Sequence, residues 1–193
     1  MRTSDSTTRP VREVPSIGAW LIVMLPFLFI ANCGERPRNE ILMEPDSGRV
    51  LYEGMLLDGL YHGTGLLYRE NGKLEYRGDF RNGQFHGQGN YYALDGHLAY
   101  SGEFENGAPH GHGRTFYPNG QVHYEGEWEM GKRSGEGVLC YKDGTLAYEG
   151  EWQEDRRHGY GKFYIYGKLV YEGRFSRGKM LDESGHVVNQ KAE

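Results

Sequence analysis

The sequence predicts an all-β protein, a single-layer curved ribbon of about six tandem β-hairpins. Three observations carry this prediction. The triplet Tyr-x-Gly recurs at Tyr52/Gly54, Tyr76/Gly78, Tyr100/Gly102, Tyr124/Gly126, Tyr148/Gly150 and Tyr171/Gly173, with successive tyrosines 24, 24, 24, 24 and 23 residues apart. Within a unit the apolar residues alternate with charged ones: Leu74, Tyr76, Gly78 and Phe80 interleave with Lys73, Glu75, Arg77 and Asp79, the period of two that a half-buried strand requires. Turn pairs that favour positive φ punctuate the copies, at Asp58-Gly59, Asn71-Gly72, Asn82-Gly83, Asp95-Gly96, Asn106-Gly107, Asn119-Gly120 and Asp143-Gly144.

The chain divides into four parts. Residues 1–32 read as a targeting segment: Arg2, Arg9 and Arg12 precede an uncharged run of 15, IGAWLIVMLPFLFIA, which leads into Asn32-Cys33-Gly34. A spanning helix needs about 20 apolar residues, and Pro26 interrupts this run, so a signal-peptide core fits its length. An uncleaved membrane anchor and ordinary secretion are the alternatives. Residues 33–47 read as a linker, 48–179 as the hairpin array, and 180–193 as a C-terminal cap or tail.

In the unit Gly72–Gly96 the first strand carries the Tyr-x-Gly triplet, and Asn82-Gly83 reverses the chain. His86-Gly87-x-Gly89 continues the loop, and Asn90-Tyr91-Tyr92 returns as the second strand. A lone hairpin is marginal in water, so stability is expected from edge-to-edge pairing of consecutive units. Two ladders are expected to form the seam: Tyr52, Tyr76, Tyr100, Tyr124, Tyr148 and Tyr171, and beside them Phe80, Phe104, Trp128, Trp152 and Phe175, with Leu56 in the first copy. The same rings are the candidate binding surface, because flat rings at fixed spacing can stack on a sugar or grip a partner.

Composition narrows the function. Mean hydropathy is −0.73, and 37% of residues are hydrophobic, too few for a deep globular core. Residues 34–193 carry 19 Lys and Arg against 25 Asp and Glu, which is no footprint for nucleic acid or anionic lipid. The two cysteines do not suggest a disulfide framework: Cys33 stands at the end of the targeting segment, and Cys140 takes a ring position as a small buried substitute.

Catalytic and metal chemistry find no support. His62, His86, His110 and His158 recur at one repeat position, but copies two strands apart stand roughly 10 Å from each other. Nitrogens about 2 Å from one zinc ion cannot be that far apart. The acidic row Asp79, Glu103, Glu127 and Glu151 repeats on the polar strand face and reads as solvated. No nucleophile elbow or phosphate loop appears, so no catalytic residue, metal, cofactor or small-molecule substrate is expected.

Two resemblances sharpen these expectations. Tyr124-Glu125-Gly126-Glu127-Trp128 through Ser134-Gly135-Glu136-Gly137, and Tyr148-Glu149-Gly150-Glu151-Trp152 through His158-Gly159-Tyr160-Gly161, resemble the MORN repeat (membrane occupation and recognition nexus). The 24-residue period with Gly-Lys-Leu-x-Tyr is similar to a bacterial variant found in proteins named as toxin–antitoxin components. Departures are Asp155 at an expected turn glycine, Leu56 in place of a ring, and Leu181 where a seventh unit would carry its histidine. The string Phe29-Ile30-Ala31-Asn32-Cys33 resembles the lipobox of bacterial lipoproteins; Ile30, Ala31 and Cys33 match, and Asn32 departs. Gly34 lacks the aspartate that this resemblance associates with inner-membrane retention, which is compatible with the outer membrane.

Together these imply a non-enzymatic scaffold, lipid-anchored at a bacterial cell envelope through Cys33 and binding a protein partner. An antitoxin-like module and a cell-wall carbohydrate binder are the alternatives.

Overall fold

The computed structural model describes residues 37–188, which form one open antiparallel sheet of 13 strands in strict sequence order. The strands are β1 (Arg38–Met43), β2 (Val50–Leu57), β3 (Leu60–Tyr68), β4 (Leu74–Arg81), β5 (Gln84–Tyr92), β6 (Leu98–Glu105) and β7 (Ala108–Phe116). They continue as β8 (Val122–Glu129), β9 (Lys132–Cys140), β10 (Leu146–Gln153), β11 (Arg156–Ile165), β12 (Lys168–Ser176) and β13 (Lys179–Met180). Among the described residues there is no helix. Residues 1–36, with the targeting segment and Cys33, lie outside the described residues, as do residues 189–193.

Each copy is a hairpin closed by a two-residue turn in which both central residues take positive φ. Asn82 (51°) and Gly83 (80°) are an example, and this geometry matches the twist of the strands it joins. Sequence reading found Asp58-Gly59, Asn82-Gly83 and Asn106-Gly107, which hold it; in Asn71-Gly72, Asp95-Gly96, Asn119-Gly120 and Asp143-Gly144 only the glycine takes positive φ. It did not find Met130-Gly131, Tyr166-Gly167 or Arg177-Gly178, and it met Glu154-Asp155 only as a departure from the expected turn glycine; all four hold the same conformation as Asn82-Gly83 with residues less suited to it.

Three segments differ from the sequence expectation. Residues 38–43, assigned to the linker, form β1 and pair with β2 from Arg38↔Leu56 to Met43↔Val50. Leu42 there joins the ring face beside Tyr52, and that burial ties the segment to the sheet. His86-Gly87-x-Gly89, read as a continuation of the loop, lies within β5 as a bulge. Gly78 pairs with Gly89 and the next residue, Asp79, with His86, so Gly87 and Gln88 are extra. Gly87 takes φ of 57° to absorb them. At the C-terminus the array runs one step into the expected cap: β13 ends at Met180, and Leu181 bridges to Val187.

The bulges have a purpose in packing. They bring a glycine of each strand opposite a glycine of the next, in one row from Gly54↔Gly65 and Gly65↔Gly78 through to Gly161↔Gly173. The tyrosine two residues before the row glycine of β2, β4, β6, β8, β10 and β12 lays its ring over this bare backbone. A Cβ built on Gly126 would stand 2.5 Å from the Glu136 carbonyl oxygen and 2.6 Å from the Tyr124 hydroxyl. At β1 the row stops: Glu40 stands opposite Gly54. The row glycines of β3, β5 and the later return strands lie under the tyrosine of the strand before them. Among the described residues no strand precedes β1, and no ring is seated on it.

Candidate functional site

The sheet has two unlike faces, a ring face and a charged face. On the ring face Tyr52, Tyr76, Tyr124 and Tyr148 are fully buried, and Tyr100, Phe80, Phe104, Trp152 and Phe175 nearly so, while Trp128 and Tyr171 are half-buried. Each tyrosine hydroxyl donates to the main-chain carbonyl three residues on, at 2.9–3.1 Å. Burial pushes the Tyr52 phenol up to about 12, with smaller contributions from its neighbours, and raises Tyr76, Tyr100, Tyr124 and Tyr148 as well.

All eleven ladder residues join one edge-to-face zipper. It runs Tyr52–Phe80–Tyr76–Phe104–Tyr100–Trp128–Tyr124–Trp152–Tyr148–Phe175–Tyr171, with ring centroids 4.9–5.5 Å apart and planes crossing at 76–90°. This is the arrangement that aromatic quadrupoles favour. The indoles of Trp128 and Trp152 also donate to Gly113 and Gly137 carbonyls, each at 3.2 Å. The structure therefore places these rings in the seam between repeats, with their faces covered by one another.

The acidic row is not merely solvated. Asp79, Glu103, Glu127 and Glu151 each accept a hydrogen bond from a main-chain N–H just beyond the facing bulge glycine, donated by Gln88, His112, Glu136 and Tyr160 at 2.7–3.5 Å. In the first copy Met55 covers Gly63 instead. These carboxylates cap bulges, and sequence reading missed it because a bulge N–H has no signature in the side-chain pattern.

Among the described residues no group of three or more His, Cys, Asp or Glu side chains is placed to hold a metal ion. His110 reaches Glu105 at 3.5 Å, and the other repeat histidines stand apart from it along the sheet. Cys140 is half-buried where other copies carry Tyr68 or Tyr164, whose hydroxyls reach Glu53 and Glu149. Burial, and then Glu125, push its thiol up, which disfavours the reactive thiolate.

What changes from copy to copy lies beside the ladder. Nine residues after each ladder tyrosine stand Tyr61, Phe85, Pro109, Arg133, Arg157 and Met180. Tyr61 stacks flat on Tyr52 at 4.1 Å and Phe85 on Tyr76 at 3.9 Å. In the later copies guanidinium groups take over: Arg133 lies 4.2 Å from the Trp152 ring centre, and Arg157 lies 4.8 Å from Phe163 and 5.2 Å from Phe175. Reading the sequence in columns at the repeat period exposes this exchange, whereas a strand-by-strand reading hides it.

An open single-layer sheet of tandem hairpins, with its rings spent on holding neighbours together, defines a repeat protein that works through extended surfaces. Six segments, residues 52–73, 76–97, 100–122, 124–146, 148–166 and 171–180, match the MORN repeat model, and the chain belongs to the MORN-repeat family. That family is a repeat and binding module associated with protein or membrane-lipid interaction, and not an enzyme family. No curated protein matches the chain.

Proposed function

We propose that this chain is a non-enzymatic, membrane-tethered scaffold that holds a protein partner at a bacterial cell envelope. One observation carries the binding half of this reading. The ladder rings are covered internally, while the column nine residues on varies from repeat to repeat and stays partly exposed, so recognition falls to the variable column. A carbohydrate platform needs exposed ring faces, and the ladder offers few. The net negative charge disfavours direct docking on anionic lipid, so the tether is assigned to acylation of Cys33, within the lipobox-like string. Palmitate labelling and the mature N-terminal mass, compared between the native chain and Cys33→Ser, test the tether. Label lost in the variant, with cleavage before Cys33, is the expected result; an unlabelled, uncleaved native chain sinks it and favours an uncleaved membrane anchor or the antitoxin-like, cytoplasmic binder. Cross-linking in intact cells tests the scaffold half, with recovery of one protein in stoichiometric amount expected.

A further inference from the structure

The variable column contains a cation that has no counter-ion among the described residues. In the turn that follows β10, Asp155 stands where preceding copies have Gly83, Gly107 and Gly131; in all four the N–H of this residue donates to the carbonyl of the column residue. Asp155 thereby faces Arg133, which donates from Nε to the Asp155 carboxylate and from Nη2 to its carbonyl, both at 3.0 Å. In the next copy Gly178 occupies this turn position. Arg157 is left with a single bond from Nη2 to the Gly178 carbonyl, at 3.2 Å. It forms no ion pair among the described residues, whereas Arg133 has one.

Arg157 is nonetheless held in place between Phe163 and Phe175. Arg157 lines an open cavity of about 420 Å³ together with Arg133, Tyr141, Ala147, Phe163 and Asp155, whose carboxylate Arg133 already neutralises. Small side chains stand in one column of this wall, Ala99 in the third copy and Ala147 in the fifth. The same column carries Glu75 in the second copy, paired with Arg69, and His123 in the fourth, packed on Tyr117. A second cavity of about 560 Å³ shares Tyr141 and Phe163 as walls and extends past Ile165 to Tyr166. A fixed guanidinium thus adjoins a trough with apolar walls at Tyr141, Phe163 and Ile165 and polar ones at Lys142, Asp143 and Thr145.

We propose that this groove binds an acidic, extended segment of a partner protein, one carboxylate pairing with Arg157 and a neighbouring apolar side chain lying between Tyr141 and Phe163. The inference rests on the scaffold reading and names the chemistry of its partner. Three features support it. Arg157 offers the planar fork of donors that carboxylates accept in pairs. Burial presses against the charge on this guanidinium, and an incoming anion relieves that. The trough beside the charge suits a chain that alternates acid and apolar residues, as extended segments do when every second side chain faces the receptor.

The chain itself supplies the test. Gly178→Asp installs the internal counter-ion that Arg133 already has. The turn position takes φ of 86°, Asp155 holds 65° at its counterpart, and a Cβ at Gly178 meets nothing within 4 Å. The full-length protein in detergent is titrated by fluorescence anisotropy with a labelled peptide of alternating Glu and Leu, and with its Lys-Leu counterpart. The expected result is saturable binding of the acidic peptide alone, weakened about tenfold or more by Gly178→Asp and by Arg157→Gln, and retained by Gly178→Asn. Thermal melts accompany each variant, and Gly178→Asp is expected to keep its midpoint. Failure of the native protein to bind the acidic peptide overturns the proposal. Equal affinity of the native and Gly178→Asp proteins does the same, as does displacement of the peptide by an equal concentration of inorganic phosphate. A cross-linked partner recovered equally by native and Gly178→Asp chains leaves the scaffold standing and removes this groove from it.

Discussion

The early and late copies carry the same ladder and the same glycine row, yet they treat the space beside the ladder in opposite ways. In β3 and β5, Tyr61 and Phe85 stack on the buried tyrosines and seal the ring face. In β9 and β11, Arg133 and Arg157 lie over rings of the late copies and together line one open cavity. Pro109 marks the change between them, and Trp128 packs against the buried rings on both sides of it. The difference separates two tasks within one repeat: the ladder joins neighbours, and the column beside it either closes the surface or makes it receptive. A binding surface can then vary without touching what holds the sheet together.

The largest effect is expected where both halves depend on the same element. Gly126→Val at the centre of the glycine row has to push aside the Glu136 carbonyl, the Gly137 backbone and the Tyr124 hydroxyl. Overpacking of this kind costs about 3 kcal/mol. A thermal melt followed by circular dichroism checks it. Because each hairpin leans on its neighbours, the whole transition is expected to shift. An unchanged midpoint would mean that the ladder does not close over the row.

A smaller effect tests the contrast itself. Phe85→Arg gives an early copy the late copies' side chain and removes the flat stack on Tyr76. The turn residue facing it is Gly107, so the new guanidinium has no carboxylate corresponding to Asp155. The loss is about 1–2 kcal/mol, that of a ring pair and part of its burial. Denaturant titration with an unchanged slope and a lower midpoint is the expected outcome. A midpoint at the native value would show that ring and guanidinium seal the ladder equally well, and the contrast between the halves would lose its energetic basis.

Much of this architecture was legible in the sequence, and the limits have physical causes. Period-two alternation and Asn-Gly or Asp-Gly pairs gave strands and turns because they report side-chain facing and backbone conformation directly. The eleven ring positions were legible because they recur. β1 was not, since Arg38, Asn39 and Glu40 carry no alternation, and one residue, Leu42, holds the segment to the ring face. The bulges were missed because His86-Gly87-x-Gly89 contains two glycines with different tasks, one supplying positive φ and the other a bare surface for Tyr76. Asp155 registered only as a departure from the turn glycine. Its role required knowing that Arg133 lies across from it, which depends on register and not on composition.

The smallest expected effect concerns that same pair. Asp155→Asn keeps a side chain that tolerates the left-handed turn and removes only the charge, so the backbone is held constant. The Arg133 and Asp155 side chains are partly exposed, at 21% and 46%, and an ion pair in such a position contributes about 0.5–1 kcal/mol. The carbonyl of residue 155 continues to accept from Arg133 Nη2, so the guanidinium stays over Trp152 and the ladder is undisturbed. The expected result is a small drop in melting midpoint at low salt that shrinks as added salt screens the pair. A drop independent of salt would assign the contribution of Asp155 to turn geometry. In that case the neutralised and unneutralised arginines would differ less than their surroundings suggest, and the case for Arg157 as the receptive member of the column would rest on its cavity alone.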